Sequence, residues 1–458
     1  MSKRLIRVMS LFAVLALVLA ACGGDDDTTD TTAAPDDTSG TTAPATDDTE
    51  PTDDTEPTDD TEPMTEDPLG TVTIAEGDAI QIRSLAAISG DAATLGTPSE
   101  RAVEMAIEDY GEIQGHPIDM GTGLDDLCSN EGGQAAAQTI VSDEQVLAVI
   151  GTSCSGAAVA ASPLLSDAGL VTISPANTSP ALTSDLEGTA GTDYHEGYYR
   201  TAHNDLFQGQ AVAEFLYNEQ SVTTAAAIHD GDPYTQGLAQ AFSDAFEELG
   251  GEILTFTAVN KGDTDMSGVL SEVADGEPEA LYYPIFPPEG NFIAQQIGDV
   301  AGLENTIMVA ADGLQVTNFL ELPETEGMYF SGPSLQFGDN GNAITGVGAD
   351  EFLQRYNDEY GEAPSAAFWA HAYDATTMAL QAIDDVAVDN GDGTLTVGRQ
   401  ALRDAVSAIS IEGMIGSISC DDFGDCGAQE IQIIHHEDSS VTDATQIPVV
   451  FTYTGEVG

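Results

Sequence analysis

Val146-Leu147-Ala148-Val149-Ile150-Gly151-Thr152-Ser153-Cys154-Ser155-Gly156 is the stretch on which the fold turns. Residues 146–151 are apolar or glycine, without charge or alternation, as a strand covered on both faces requires. Four residues bearing hydroxyl or thiol groups then end the run, and residues 156–168 read as a helix. Residues 170–174 read as the next strand. Strand, polar turn, helix and strand make a parallel crossover. The turn lies at a helix N-terminus, where backbone N–H groups lack acceptors and favour an anion.

The same alternation extends outward. Residues 81–88 read as a buried strand, followed by a loop at Ser89-Gly90-Asp91. Thr97-Pro98-Ser99-Glu100 reads as a helix start, with Thr as cap, Pro in the first turn and Glu placed for a capping box. That helix is expected to end at Gly111. A strand at 118–124 and a helix at 133–142 follow. A second series begins near Asp205, with helices at 209–219, 235–249, 266–273 and 291–300. They alternate with strands at 225–229, 253–259, 280–286 and 306–310. Two such series predict two α/β lobes whose parallel sheets carry helices on both faces.

The final third reads as helical at 350–360, 365–385 and 397–410, then strand-like at 416–454. These helices have to pack back on an earlier lobe, so the chain crosses between lobes more than once. A hinge with a cleft results, and the cleft is the natural ligand site. The expected partition is 71–204 with about 335–425 for lobe 1, and 205–334 with about 426–458 for lobe 2.

The N-terminus carries a separate message. Lys3, Arg4 and Arg7 precede an apolar stretch at 11–20, too short for a stable membrane helix, and Leu19-Ala20-Ala21-Cys22 closes it. This is an export signal. Its ending resembles the lipobox of bacterial lipoproteins, which implies lipidation of Cys22 and a place outside the cytoplasmic membrane. Residues 23–70 repeat Asp-Asp-Thr-Glu-Pro at 47–51, 53–57 and 59–63 and hold almost no large apolar residue. Such a segment cannot offset its ordering entropy and reads as a disordered stalk.

Charge narrows the partners. The formal net charge is −69, and residues 23–68 hold only 17 of the 79 acids, leaving 62 against seven Arg or Lys. That surface repels nucleic acid and anionic headgroups, which excludes both as partners. Cys128, Cys154, Cys420 and Cys426 remain after Cys22, an even number that suits two disulfides in an exported protein. Sequence order favours 128–154 and 420–426 among three connectivities. A four-thiolate zinc site lacks paired Cys-x-x-Cys spacing. No nucleophile elbow, His-Glu-x-x-His helix or phosphate loop is present, which argues against an enzyme. His229-Asp230 and His435-His436 suit structural or solvated roles. Asp230 and Asp232 do not complete a calcium loop.

Several segments together resemble the branched-chain amino acid type of ABC-transporter substrate-binding protein. They are Ala87-Ile88-Ser89-Gly90, the 150–156 turn, the stretch Ile173–Thr183, Tyr199-Arg200-Thr201, Ala227-Ile228-His229-Asp230 with Tyr234, Leu281-Tyr282-Tyr283, and Pro364–Phe368 with Tyr373-Asp374. The resemblance covers about 78–450. It implies a type I periplasmic-binding-protein fold, two Rossmann-like lobes joined by three hinge crossings. It implies a receptor that captures an amino acid, branched-chain or otherwise apolar, and delivers it to an ABC permease. The receptor is expected to be monomeric, without cofactor or metal, and held at the membrane by its lipid alone. Urea, a short amide or an aromatic acid is the alternative ligand, and a ligand-presenting sensor the alternative role.

The resemblance also implies a site. Ser155 and Thr178, with backbone at Ala176, would hold the ligand carboxylate, although helix capping and turn chemistry also explain both hydroxyls. Asp312, at a strand end where amino acid receptors carry Glu, and Asp205 would hold the ammonium. Tyr234 would close from the second lobe. Phe286, where such receptors often have Tyr, would line the side-chain pocket with Phe368 and Leu95. Cys128–Cys154 would pin the ligand loop, and Cys420–Cys426 would form a clasp near the last crossing.

Overall fold

The computed structural model describes residues 67–455, so the export signal, Cys22 and most of the stalk lie outside the described residues. Two seven-stranded sheets carry the architecture. The first is built from β1 (Ile80–Ala86), α1 (Ala93–Tyr110), β2 (His116–Asp119), α2 (Asn130–Val141), β3 (Val146–Gly151), α3 (Ser155–Asp167), β4 (Val171–Ser174) and β5 (Tyr198–Arg200). Its parallel order is β2-β1-β3-β4-β5. Every residue of β3 is buried, which explains its unbroken apolar run.

The second sheet repeats the plan. It follows α4 (Asp205–Glu214) with β6 (Thr224–His229), α5 (Pro233–Glu248), β7 (Glu252–Ala258), β8 (Ala280–Tyr282), β9 (Ile307–Ala310) and β10 (Met328–Pro333). The parallel order β7-β6-β8-β9-β10 matches the first sheet. Two antiparallel strands, β11 (Glu430–His436) and β12 (Val449–Thr454), extend it. In both sheets the order reverses beside the first strand. Open parallel sheets offer ligand sites at the carboxyl ends of such reversals.

The chain passes between the sheets three times: between β5 and α4, after β10, and between Cys426 and β11. After the second passage α6 (Trp369–Val386) lies along α1 and over β3 and β4 of the first sheet. Its Trp369, 1% exposed, stacks on Phe352 with ring centroids 4.8 Å apart. Two α/β lobes with a three-crossing hinge are therefore present.

Local readings needed correction. Helix α1 starts at Ala93, so Thr97 is not its cap and Pro98 lies inside it. Pro98 has no N–H for the Thr94 carbonyl, and the Ser365 hydroxyl donates to that carbonyl instead at 2.8 Å. The strand expected at 118–124 is two pieces, β2 and a short Leu124–Asp125, which pair with different ends of β1. The stalk stops short of residue 70. Asp67 accepts the N–H groups of Gln400 and Ala401 at the start of the Arg399–Ser407 helix. A carboxylate is stabilised there by free N–H groups and the helix dipole.

Both disulfides pair as sequence order indicated, Cys128 with Cys154 and Cys420 with Cys426. Among the described residues no helix is long and apolar enough to cross a membrane.

Candidate functional site

The first lobe's contribution begins where β3 ends. The Ser153 N–H donates to buried Asp126 at 2.7 Å, and Asp126 also accepts the Cys128 N–H at 2.7 Å. One carboxylate and one disulfide thus hold the 152–154 turn from the same side. The Ala87 N–H donates to the Ser153 hydroxyl at 3.0 Å, tying the turn to the end of β1. Ser155 is the first residue of α3. Its oxygen receives only a long contact from the Ser179 N–H, at 3.4 Å, so its proton remains free to donate.

The turn after β4 is oriented by Arg200. Its guanidinium, wholly buried, donates to the Asn177 and Ser179 carbonyls at 3.2 and 2.9 Å and pairs with Asp425. The Asp205 N–H takes the Thr178 carbonyl at 2.9 Å. Thr178 Oγ1 has no partner. Ala176 follows in the same turn. Its N–H donates to Ser174 Oγ at 3.2 Å, which leaves the carbonyl, an acceptor, as its free backbone group.

The second lobe supplies Tyr234 from the first turn of α5 and Asp312 just past β9. Asp312 Oδ1 accepts from Gln208 Nε2 at 2.8 Å and from the Tyr234 hydroxyl at 3.1 Å, leaving Oδ2 uncommitted. Burial pushes the Asp312 carboxyl up to about 6, against these two donors. The Tyr234 ring packs against Phe286 with centroids 5.0 Å apart. A Cβ on Gly313 would stand 3.1–3.2 Å from both rings, so glycine lets the pair close over the Asp312 turn.

These parts meet in one cavity. Ser155 and Ala176 line it from the first lobe, Tyr234, Phe286 and Asp312 from the second, with Leu95 and Phe368 at its apolar end. Ser153 and Gly313 complete the wall. The cavity is small, about 20 Å³, with room for little more than one water, so the lobes stand nearly shut. Phe368 is held between two buried imidazoles, stacked on His203 at 6.2 Å and edge-on to His371 at 5.2 Å. Burial lowers these histidines to about 4 and about 3, which keeps both neutral.

Thr178 and Asp205 do not line the cavity. Both are fully buried. Neither Asp205 oxygen has a hydrogen-bond partner. Its carboxyl is pushed well above the ordinary range, first by burial and then by the Asp312 charge, with the nearby Thr178 hydroxyl opposing. A buried carboxyl so perturbed is costly and is a candidate member of a functional site. Sequence reading missed Gln208, Asp126 and Arg200. Gln208 stands three residues after Asp205 on the same helical face, the one signal that pointed to it. Nothing in the local sequence of Asp126 or Arg200 shows which turn it braces.

A family model described as periplasmic binding protein matches residues 79–426. The chain belongs to the periplasmic binding protein family. Members bind solutes, and this one is a binding protein, not an enzyme. This periplasmic binding protein is 26% identical over 376 residues to Leu/Ile/Val-binding protein homolog 3 of Brucella melitensis, covering 81% of this chain and 95% of that one. It is 25% identical over 382 residues to the Leu/Ile/Val-binding protein of Escherichia coli K12, covering 81% and 95%. The leucine-binding protein of Thermotoga maritima superposes with a TM-score of 0.69 at 23% identity, covering 82% of this chain and 98% of that one. A solute-binding protein from R. palustris in complex with benzoate gives 0.65 at 17% identity, covering 82% and 96%. At those identities the structural likeness speaks for the type I fold.

Proposed function

We propose that this periplasmic binding protein captures an amino acid with an apolar side chain, branched-chain residues foremost, and delivers it to an ABC permease. One observation carries the reading. Asp312, held through Oδ1 by Gln208 and Tyr234, lines a cavity to which the other lobe contributes Ser155 at a helix N-terminus. A zwitterion needs that pairing, with an acceptor for its ammonium and neutral donors for its carboxylate. Ser155, at the N-terminus of α3, takes the carboxylate, and Thr178, first expected to share it, stays buried outside the cavity wall. Asp312, backed by Asp205, takes the ammonium with the Ala176 carbonyl. Leu95, Phe286 and Phe368 surround the side chain. Relatives named as Leu/Ile/Val-binding proteins support the ligand class.

Capture proceeds by closure of the hinge. The first lobe holds the carboxylate in the open form, and Tyr234 and Asp312 then swing in. Lobe 1 comprises 71–204 with about 335–425 and lobe 2 comprises 205–334 with about 426–458, a partition supported by which strands share each sheet. Cys22 is assigned as the lipid anchor, the protein as a monomer at the outer face of the cytoplasmic membrane, and no cofactor or metal is required.

A thermal-shift screen against amino acids, amides and aromatic acids tests the reading. A large shift with leucine, isoleucine or valine supports it. The second reading, an aromatic acid or a short amide such as urea, draws on Phe286, which lacks a hydroxyl, and on the aromatic walls of the cavity. Shifts confined to uncharged or aromatic compounds would replace the first reading with the second.

A further inference from the structure

Beside the cavity, the second lobe brings Asp232 against the first turn of α3. Asp232 caps α5, its Oδ1 accepting the Tyr234 N–H at 3.0 Å. Its Oδ2 accepts from Lys261 Nζ at 3.1 Å and lies over Gly156 of the first lobe. A Cβ on Gly156 would collide with Oδ2, and would stand 3.3 Å from Asp232 Cγ and 3.0 Å from Asn130 Oδ1. The approach exists because residue 156 has no side chain. Asp232 is 5% exposed, so closure of the lobes takes its charge out of water.

That burial is costly for a lone carboxylate. Two things offset it. The Tyr234 N–H at the start of α5 donates to it, and the N-terminal end of α3, at Gly156, lies against it with the favourable end of its helix dipole. Lys261 supplies the counter-charge, and it is the one Lys or Arg in 205–334 and in 426–458. Lys261 Nζ also stands 6.0 Å from the centroid of Phe286, the ring that packs on Tyr234 over the cavity.

We propose that Asp232, Lys261 and Gly156 form an interlobe latch, which holds the lobes together over the ligand without touching it. Asp232 and Lys261 are positioning residues. They set the closed fraction, and so the residence time of any ligand the cavity accepts. The inference rests on the proposed function only in taking hinge closure as the capture step.

The test is a double-mutant cycle read by L-leucine titration and dissociation rate. Gly156→Ala lies in the first turn of a helix, where alanine ordinarily does no harm. Here the methyl blocks the approach of Asp232, and affinity is expected to fall by about tenfold or more, mostly through faster dissociation. Asp232→Ser keeps an N-cap for α5 but ends short of Gly156. In that background Gly156→Ala is expected to change affinity by less than about threefold. Equal losses in both backgrounds, or no loss in the first, overturn the latch. If the unaltered protein binds none of leucine, isoleucine and valine, the functional reading falls and the latch is judged without ligand. Small-angle scattering should then show a larger radius of gyration for Gly156→Ala than for the double variant, and equal radii overturn the proposal.

Discussion

The Tyr234 hydroxyl donates to Asp312 Oδ1 at 3.1 Å while accepting the Gly313 N–H at 3.2 Å. One phenol thereby fixes both the carboxylate and the turn that carries it. Tyr234→Phe keeps the ring against Phe286 and removes both bonds. A hydrogen bond to a charged group contributes about 1.5–3 kcal/mol, so affinity for leucine should fall about tenfold to a hundredfold by calorimetry. Stability should fall by about 1–3 kcal/mol, because the buried Gly313 N–H loses its acceptor.

Asp312 itself should be indispensable for an amine ligand. Asp312→Ala is expected to abolish amino acid binding while circular dichroism remains that of the folded protein. Loss of a buried charged partner costs about 2–5 kcal/mol or more. Calorimetry returning the original affinity would remove the ammonium argument.

Gln208 supports the same oxygen from behind, donating at 2.8 Å to Asp312 and at 2.9 Å to Ser331 Oγ. Gln208→Met should raise the Asp312 carboxyl further, because one of its two stabilising donors is gone. The pH below which affinity declines should move upward. A merely weakened fold would lower affinity equally at every pH.

Acidity should act in opposite directions on stability and binding. Burial holds Asp312, Asp126 and Asp374 each at about 6, above the ordinary 3.8. Between those values the folded chain binds more protons than the unfolded chain. These groups therefore favour the fold increasingly as pH falls from 7 toward 4, and that contribution is lost as pH rises through 6. Relief of the acidic surface acts in the same direction. An ammonium needs Asp312 ionised, so affinity should fall about tenfold per pH unit below 6. Thermal melts of the ligand-free protein and calorimetry at pH 7, 6 and 5 check both slopes.

Arg200 joins the two hinge segments through Asp425 and carries the Asn177 and Ser179 carbonyls. Arg200→Met leaves Asp425 buried and unpaired, which costs about 3–5 kcal/mol. Urea unfolding should show that loss. Ligand affinity should fall as well, because the 176–179 turn loses its brace.

Much of this molecule was legible before folding. The unbroken apolar runs at 146–151 and 225–229 marked buried parallel strands, since only a strand covered on both faces dispenses with polar residues. Asp312 and Ser155 could be placed at strand and helix ends, and seven expected residues do share one cavity. The start of α1 was misread because a proline inside a helix resembles one at its first turn when the hydroxyl that repairs it, on Ser365, is far away in sequence. Which backbone group of Ala176 is left free was likewise not legible, because its N–H is engaged by Ser174.

By itself the order of residues determined periodicity, turn chemistry and charge, since these depend on neighbours along the chain, and it favoured one cysteine pairing among three. The tertiary structure alone decided which carboxylate is partnered and which is not. Asp312 meets Gln208 and Tyr234, Asp205 meets no partner, and Asp232 reaches Gly156 across the cleft. Burial and partnership arise from long-range packing, and they, more than residue type, set a charge's energy and its use.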